Sequence, residues 1–558
     1  MTKSRFASML FVATSATLII ASCASSPQKT VEPAAKVEAS PAAAPGETSV
    51  ALDDKDMIAP WVDYRPSPPD GQWLVDMEGR EYFVQPIPKK EGYYHRVDPT
   101  HVRVDAGITI ELAREDDSFF YAKVYRMGDE EGPVVRKEPT PEELEQIAKS
   151  YEVTTTESDE LRFVAIGDGL PRSGQWRNGF ALADVDGDAA LDIVHGPARR
   201  TINGKPAIFR GDGKGGFSRW SEAKFPPLAY DYGDAAVGDF NGDSKADVAL
   251  AIHLRGIVAL LGDGKGSFES FSEGLDMSDP AKGGWSTSPF TSRAIETIDW
   301  DRDGRMDILA LSEGPSRPGA TAANYAAGKR IYLARDNGWE LAPAPPDVDP
   351  VFGDEIAIGD FNGDGRKDFA TSISLAGNRA VFNIAGVDGS WQASSLEGIR
   401  PGSFVRSVAA ADVNGDDRDD LFLSYTSNEG GVVRSGIDLM LSQPGGWRRH
   451  ALWASAGRSF VTAMGAGDLD SDGRIDLVAF SDAGEPMVFR GAGGTLFTRE
   501  SPDGIDSAQP GCRGYSVRLA DLDRDLRDEI VAGFAGERCP SGGSLRAWKA
   551  ENLPKGSN

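Results

Sequence analysis

The sequence has 558 residues, 64 of them glycine, with 26% charged residues and a net charge of −27. That length exceeds one ordinary core, so it calls for several domains or one long repeat array. The acidic balance speaks against nucleic acid and anionic lipid surfaces as partners, since both require a basic footprint.

Residues 1–22 begin with Lys3 and Arg5 and run apolar from Phe6 to Ala21, which reads as a secretory signal rather than a spanning helix. Its end, Ile20-Ala21-Ser22-Cys23, resembles the bacterial lipoprotein cleavage box. The resemblance implies cleavage before Cys23 and acylation of its thiol. Ala24 follows it, and by similarity to the Gram-negative sorting rule this implies anchoring in the outer membrane, facing the periplasm or the surface. The alternative is an ordinary signal with an incidental cysteine. Residues 23–52 then form the anchor and a tether rich in Ala, Pro, Ser, Glu and Lys. The body keeps two cysteines, Cys512 and Cys539. That number suits an exported protein with one disulfide, or else two unrelated thiols.

Residues 53–157 read as a small α+β or β module. Gln72–Asp76 and Glu81–Gln85 flank a Glu78-Gly79 turn, a hairpin pattern, and Val102–Leu112 and Phe119–Tyr125 alternate as further strands. Thr140-Pro141-Glu142-Glu143 starts a helix predicted to reach Tyr151. His95 and His101 are isolated there and carry no ligand pattern.

From residue 158 to 551 the chain repeats. An acidic nonapeptide, Asp-x-[Asp/Asn]-x-Asp-x-x-x-[Asp/Glu], begins at Asp184, Asp239, Asp299, Asp360, Asp412, Asp468 and Asp521, at spacings of 55, 60, 61, 52, 56 and 53 residues. Each copy lies between two apolar runs; a third run follows, then a glycine turn ahead of an aromatic, as in Gly262-Asp-Gly-Lys-Gly-Ser-Phe268. A period of this size with several short strands predicts a mainly β fold of four-stranded blades around an axis. The last repeat lacks a fourth strand, and Leu161–Ile166 precedes the first loop without a blade of its own, so this strand is predicted to complete the seventh blade and remove an open edge. Residues 552–558 remain as a tail.

The nonapeptide, the Gly-x-Phe turn and the period together resemble FG-GAP/VCBS-type repeats, the units of the integrin α-chain head and of many bacterial exported proteins. The resemblance implies a seven-bladed β-propeller with calcium-binding loops.

The loop chemistry points the same way. Carboxylates this close repel one another, and oxygens at positions one, three, five and nine, with a carbonyl at seven, can wrap one Ca²⁺. The seven predicted ligand sets are Asp184, Asp186, Asp188 and Asp192; Asp239, Asn241, Asp243 and Asp247; Asp299, Asp301, Asp303 and Asp307; Asp360, Asn362, Asp364 and Asp368; Asp412, Asn414, Asp416 and Asp420; Asp468, Asp470, Asp472 and Asp476; and Asp521, Asp523, Asp525 and Glu529. No Cys or His offers a softer site. Position six is Gly in the third, fourth and sixth loops, but Ala189, Ser244, Asp417 and Leu526 in the others. This ranks the third and sixth loops tightest and the seventh weakest, with the first also weak and fewer than seven ions at full occupancy.

No Ser-His-Asp order, phosphate loop or metalloprotease motif is present, so no catalytic residue is assigned. His195 and His253 fall at non-equivalent positions. The face opposite the loops gathers Trp176, Arg177, Tyr230, Tyr232, Trp285, Phe290, Arg293, Phe404, Arg406, Arg458, Phe460 and Arg513. Six residues before each loop stand Asn178, Gly233, Arg293, Asp354, Arg406, Thr462 and Tyr515, a set able to ring a channel mouth. The leading expectation is a non-enzymatic envelope protein that binds a protein or glycan on that face and touches membrane only through its lipid. A polysaccharide lyase or hydrolase, and a scaffold for envelope assembly, are the alternatives.

Overall fold

A computed structural model of the chain describes five strands between residues 72 and 126 and, with gaps, residues 151–553. Residues 1–71, 99–107, most of 127–150, and the segments 278–289, 313–327 and 344–352 are the largest stretches outside the described residues. The signal, Cys23, the tether and His101 all lie there. In the predicted helix Glu145, Lys149 and Tyr151 are described; the first two are helical and pair at 2.8 Å, one turn apart, and Tyr151 lies in a turn.

The strands Gln72–Asp76, Glu81–Pro86, Tyr93–Asp98, Ile108–Arg114 and Phe119–Arg126 close into a barrel, the first pairing in parallel with the fourth. Closure gives every backbone edge a partner, which a hairpin alone cannot do.

Seven antiparallel sheets follow in chain order. The first holds Phe180–Ala183, Asp192–His195, Ala207–Gly211 and Phe217–Arg219. The other six start at the strands Ala235–Gly238, Ser292–Ile298, Ile356–Gly359, Phe404–Ala411, Val461–Gly467 and Arg513–Ala520. Each first strand packs against the next one, and the seventh returns to the first. Leu161–Ile166 pairs antiparallel with Ser544–Asn552 and so completes the seventh sheet, matching Ala547 with Ile166 and Asn552 with Leu161. One strand has no counterpart in the sequence reading: Thr156–Ser158 pairs in parallel with Leu496–Glu500 and gives the sixth sheet a fifth strand. Two neighbouring sheets are thus stapled by one short stretch of chain.

The apolar residue at position two of each acidic loop explains how neighbours lock together. It buries against the outer strand of the following sheet. Phe240 meets Trp339 at 5.1 Å, Trp300 stacks on Trp391 at 3.7 Å, and Phe361 meets Trp447 at 5.7 Å. Val185 shares a core cluster with Phe268, Val413 with Phe497, Leu469 with Phe163, and Leu522 with Phe217. Seven knobs of this kind join the sheets at the loop end, the fully buried ones contributing on the order of 1.5–3 kcal/mol each and Trp300 and Val413, partly buried, less. At the opposite end a disulfide joins Cys512 to Cys539.

Candidate metal centres and an arginine-lined mouth

Each acidic loop folds on its own carboxylates. In the first, Asp184 Oδ1 accepts the backbone N–H of Gly187 at 2.7 Å and of Asp188 at 3.1 Å, and its Oδ2 accepts that of Ala189 at 2.8 Å. Asp186 accepts from Asp188 at 3.3 Å, and Asp188 from Ala190 at 2.8 Å. Asn241 and Asn362 occupy position three in the same way, each accepting from the position-five N–H at 2.9 Å.

This winding needs left-handed backbone at two places. Position four has φ between 60° and 80° in all seven loops, and position six between 62° and 88°. Ala189, Ser244, Asp417 and Leu526 adopt the turn that Gly304, Gly365 and Gly473 adopt more cheaply. The non-glycine loops therefore share the geometry and carry strain, so the residue at position six does not by itself decide loop shape.

Position nine clamps loop to sheet. Asp192 accepts the N–H of Val185 at 3.0 Å and of Gly211, on the third strand, at 2.9 Å. Asp247, Asp307, Asp368, Asp420 and Asp476 repeat this double clamp. Glu529 keeps the loop half, from Leu522 at 2.7 Å, while its Oε1 is buried without a hydrogen-bond donor. Burial pushes these carboxyls up, against the pull of the clamping N–H groups: Asp192 and Asp247 to about 6, Asp307, Asp368, Asp420 and Glu529 to about 7, and Asp476 to about 8.

These residues fit a hard cation. Three carboxylate oxygens come within 4.8 Å of one another at Asp184/Asp186/Asp192, Asp299/Asp301/Asp303, Asp468/Asp470/Asp476 and Asp521/Asp523/Glu529. Asp299 Oδ1, Asn414 Oδ1, Asp470 Oδ1 and Asp523 Oδ1 are buried at ligand positions with no hydrogen-bond donor. A buried oxygen left in that state is costly unless a cation meets it.

The structure adds a feature the nonapeptide alone does not display. In the loops with Asp at position three, a cation from the third strand of the same sheet reaches it. Arg210 lies 3.5 Å from Asp186, Arg335 lies 2.8 Å from Asp301, and Arg490 lies 3.4 Å from Asp470. Lys549 contacts Asp523 and also lies 2.7 Å from Asp525 and 3.7 Å from Glu529. The loops with Asn there have Leu261, Ile384 and Leu441 at the register position occupied by Arg210, Arg490 and Lys549. Counting the four ligand positions and this cation, every loop carries three net negative charges. The extra carboxylate of the four-carboxylate loops is thus already paired with a cation of its own sheet. The third-strand residue two-stranded away in register was the available signal, and it is visible only once strand pairing is known.

Adjacent loops are also latched. Met306 donates its N–H to the Asp239 carbonyl at 2.9 Å, Asp419 to that of Asp360 at 2.8 Å, and Asp528 to that of Asp468 at 2.7 Å. The side chains of Asp419 and Asp528 accept the N–H of Asp360 and Asp468 in return, at 2.6 and 2.8 Å.

At the other end of the first strands, Arg177, Arg293, Arg406 and Arg513 come from the first, third, fifth and seventh sheets. Six to eight residues of extended chain, about 20–26 Å, separate them from the loops. Arg177 lies 5.3 Å from the Tyr232 ring centroid and 5.1 Å from that of Tyr515; Arg513 lies 5.8 Å from the Tyr515 ring. Arg406 lies over Phe404 at 5.0 Å and Phe460 at 5.2 Å. Arg293 pairs with Asp354 at 2.8 Å. Burial pushes the Asp354 carboxyl up, but Arg293, Arg406, Arg177 and Arg513 outweigh this and hold it below the ordinary range. Deeper in, Arg518 of the seventh sheet meets Glu296 of the third at 3.5 Å, across the ring.

The aromatic candidates are placed differently from the sequence expectation. Trp176, Tyr232, Phe290 and Phe404 are buried, because they pack under the arginines or into the sheets. Trp176 meets Phe209 and His195, and His195 is fully enclosed, its pKa lowered to about 4 by burial. His253 stacks on Tyr232 at 4.5 Å instead, so the two histidines do not converge. Trp285 and Arg458 lie outside the described residues.

A model of the FG-GAP-like repeat matches residues 198–250, 360–423 and 468–532, so the chain carries at least these three such repeats. Among curated proteins it is similar to integrin alpha-V of Gallus gallus, 27% identical over 35% of this chain and 22% of that protein. It is also similar to the phosphatidylinositol-glycan-specific phospholipase D of Homo sapiens, 28% identical over 26% of this chain and 19% of that one. The chain thus spans about a fifth of each. Among solved structures, AofleA of Arthrobotrys oligospora is matched at 11% identity and TM-score 0.32, over 62% of this chain and 92% of that chain. The Penicillium chrysogenum α-L-arabinanase complexed with arabinobiose is matched at 10% and 0.37, over 71% and 99%. At these scores neither likeness bears on function.

Proposed function

We propose that residues 156–552 form a calcium-stapled, seven-bladed β-propeller that serves as a binding module of the cell envelope, its ligand held at the mouth opposite the acidic loops. The observation that carries this is the split of the first strands into two chemical ends. One end is spent on loop winding, clamps and metal-suited oxygens; the other gathers arginines from four sheets, three of them packed on aromatic rings. Calcium would be held by the four ligand positions of each loop, and would supply the charge that lets the buried position-nine carboxyls ionise. The lipid anchor at Cys23 and the tether up to residue 52 would hold the module at the outer membrane.

A second reading, a polysaccharide lyase, draws on one observation: the Tyr232 ring carries His253 on one contact and the guanidinium groups of Arg177 and Arg199 on others. Phenol, imidazole and guanidinium together are the groups a proton abstraction beside a carboxylate needs. A glycan array on the calcium-loaded protein tests the binding reading. Growth of absorbance from unsaturated uronic products, lost on Tyr232→Phe, would favour the lyase; retained glycan with no product favours the binder.

A further inference from the structure

The mouth displays charge beside a few half-buried rings, Phe460 and Tyr515, which the arginines touch. Tyr232 and Phe404 are 4% and 3% exposed, while Arg177, Arg293, Arg406 and Arg513 above them stay half-buried. A ring buried beneath a guanidinium offers no flat face to a neutral sugar and fixes the guanidinium plane. The half-buried Tyr515 packs against two arginines at once. Beneath them Arg518 and Glu296 lie 3.5 Å apart across the ring, at the floor of the cup that the four arginines rim.

We propose that this cup binds an acidic polysaccharide, whose carboxylate or sulfate groups pair with Arg177, Arg293, Arg406 and Arg513. Asp354 marks where one such anion sits, since one of its carboxylate oxygens lies 2.8 Å from a terminal nitrogen of Arg293. Its chain position, at the entrance to the fourth sheet, makes it an internal competitor that a stronger polyanion displaces. Arginine suits both anions, because its planar fork matches carboxylate and sulfate oxygens alike. Several cations fixed around one mouth favour a chain of repeated anions over a single one. A molecule of net charge −27 would otherwise repel such a ligand, so the attraction must be local.

This inference rests on the binding reading of the mouth and is tested by calorimetry on the calcium-loaded chain with hexagalacturonate, a heparin hexasaccharide, cellohexaose and poly-glutamate of matched charge. At least one acidic hexasaccharide is expected to bind, about tenfold more weakly in the Arg177→Gln/Arg513→Gln double variant and more weakly in high salt. Asp354→Asn is expected to tighten it severalfold, an outcome that a purely structural role for these residues would not give. The hexasaccharide preferred tells carboxylate from sulfate. Poly-glutamate binding as tightly overturns the polysaccharide assignment, as does acidic-sugar binding unchanged in a double variant that melts like the parent. If cellohexaose or another neutral ligand binds and survives the double variant, the mouth is a binding face but not an anion site. If nothing binds at the mouth, both readings fall.

Discussion

Lys549 places its ammonium against Asp523 in the seventh acidic loop, with Asp525 and Glu529 beside it. Burial works against that charge, yet the hydrogen bonds to Asp523 and Asp525 hold it well above the ordinary lysine range. A lysine amine here does in part what a divalent ion would do in the same cradle. Lys549→Met should therefore destabilise the metal-free protein by about 1.5–3 kcal/mol, the range for hydrogen bonds to charged groups. With calcium present it should recover and bind one more ion per chain, read by metal analysis after gel filtration. Unchanged stoichiometry together with unchanged melting in chelator would show that Lys549 does not substitute for the ion.

The position-nine carboxyls set the pH response. Their folded values, about 6 to 8, lie above the unfolded carboxyl value, so the folded state binds these protons more tightly. The stability they contribute is fully present below about pH 4 and is lost as pH rises through 6 to 8. Metal-free protein should melt at steadily lower temperature from pH 5.5 to 8.5. Calcium needs the ionised form, so its addition should raise the melting temperature most at the alkaline end, with a gain in stability of about 2.7 kcal/mol per site at a hundredfold excess over Kd. Glu355, pushed up to about 8 by burial in the channel, leaves a smaller slope of the same sign after loading. A calcium-free melting curve that improves toward pH 8.5 would contradict this.

Leu526 pays for left-handed backbone with a bulky side chain. Its φ is 71° and it is 77% exposed, so the residue contributes almost nothing by packing. Leu526→Gly should raise stability by about 1 kcal/mol through relief of that strain, less the flexibility glycine adds to the unfolded chain. Urea titration in chelator is the cleanest measurement. Gly304→Leu should show the opposite sign, since a Cβ there meets nothing within 4 Å and only the backbone suffers.

What was legible in the sequence follows from local chemistry. The spacing of the nonapeptide counts the sheets, because each position-nine acid must sit where one loop enters one second strand. The closing strand Leu161–Ile166 was legible because it lacks a sheet of its own. Thr156–Ser158 was not: three residues in parallel pairing leave no alternation to read. The cations opposite position three stayed hidden because Arg210 and Asp186 are 24 residues apart and only strand register brings them together. At the mouth, spacing located Arg177, Arg293 and Arg406 at one end, but which way Tyr232 and Phe404 turn depends on packing between sheets.

Asp528 couples two loops. Its N–H and carboxylate bracket the Asp468 backbone at 2.7 and 2.8 Å, so the start of the sixth loop is held by the end of the seventh. Asp528→Ala removes the acceptor and leaves a partly buried N–H unsatisfied, at about 1–3 kcal/mol. Because Asp468 winds the sixth loop through the N–H groups of Asp472 and Gly473, the loss should reach the metal as well. The variant should give up more stability in calcium than in chelator, by the factor its calcium affinity falls. Asp419→Ala should act alike on the fourth loop, through Asp360 at 2.6 Å. The two latches share no partner, so the double variant should lose the sum of the single losses within about 0.5 kcal/mol. A marked shortfall in the double variant would mean that strain travels round the ring, and a loss equal with and without calcium would confine each latch to the sheets.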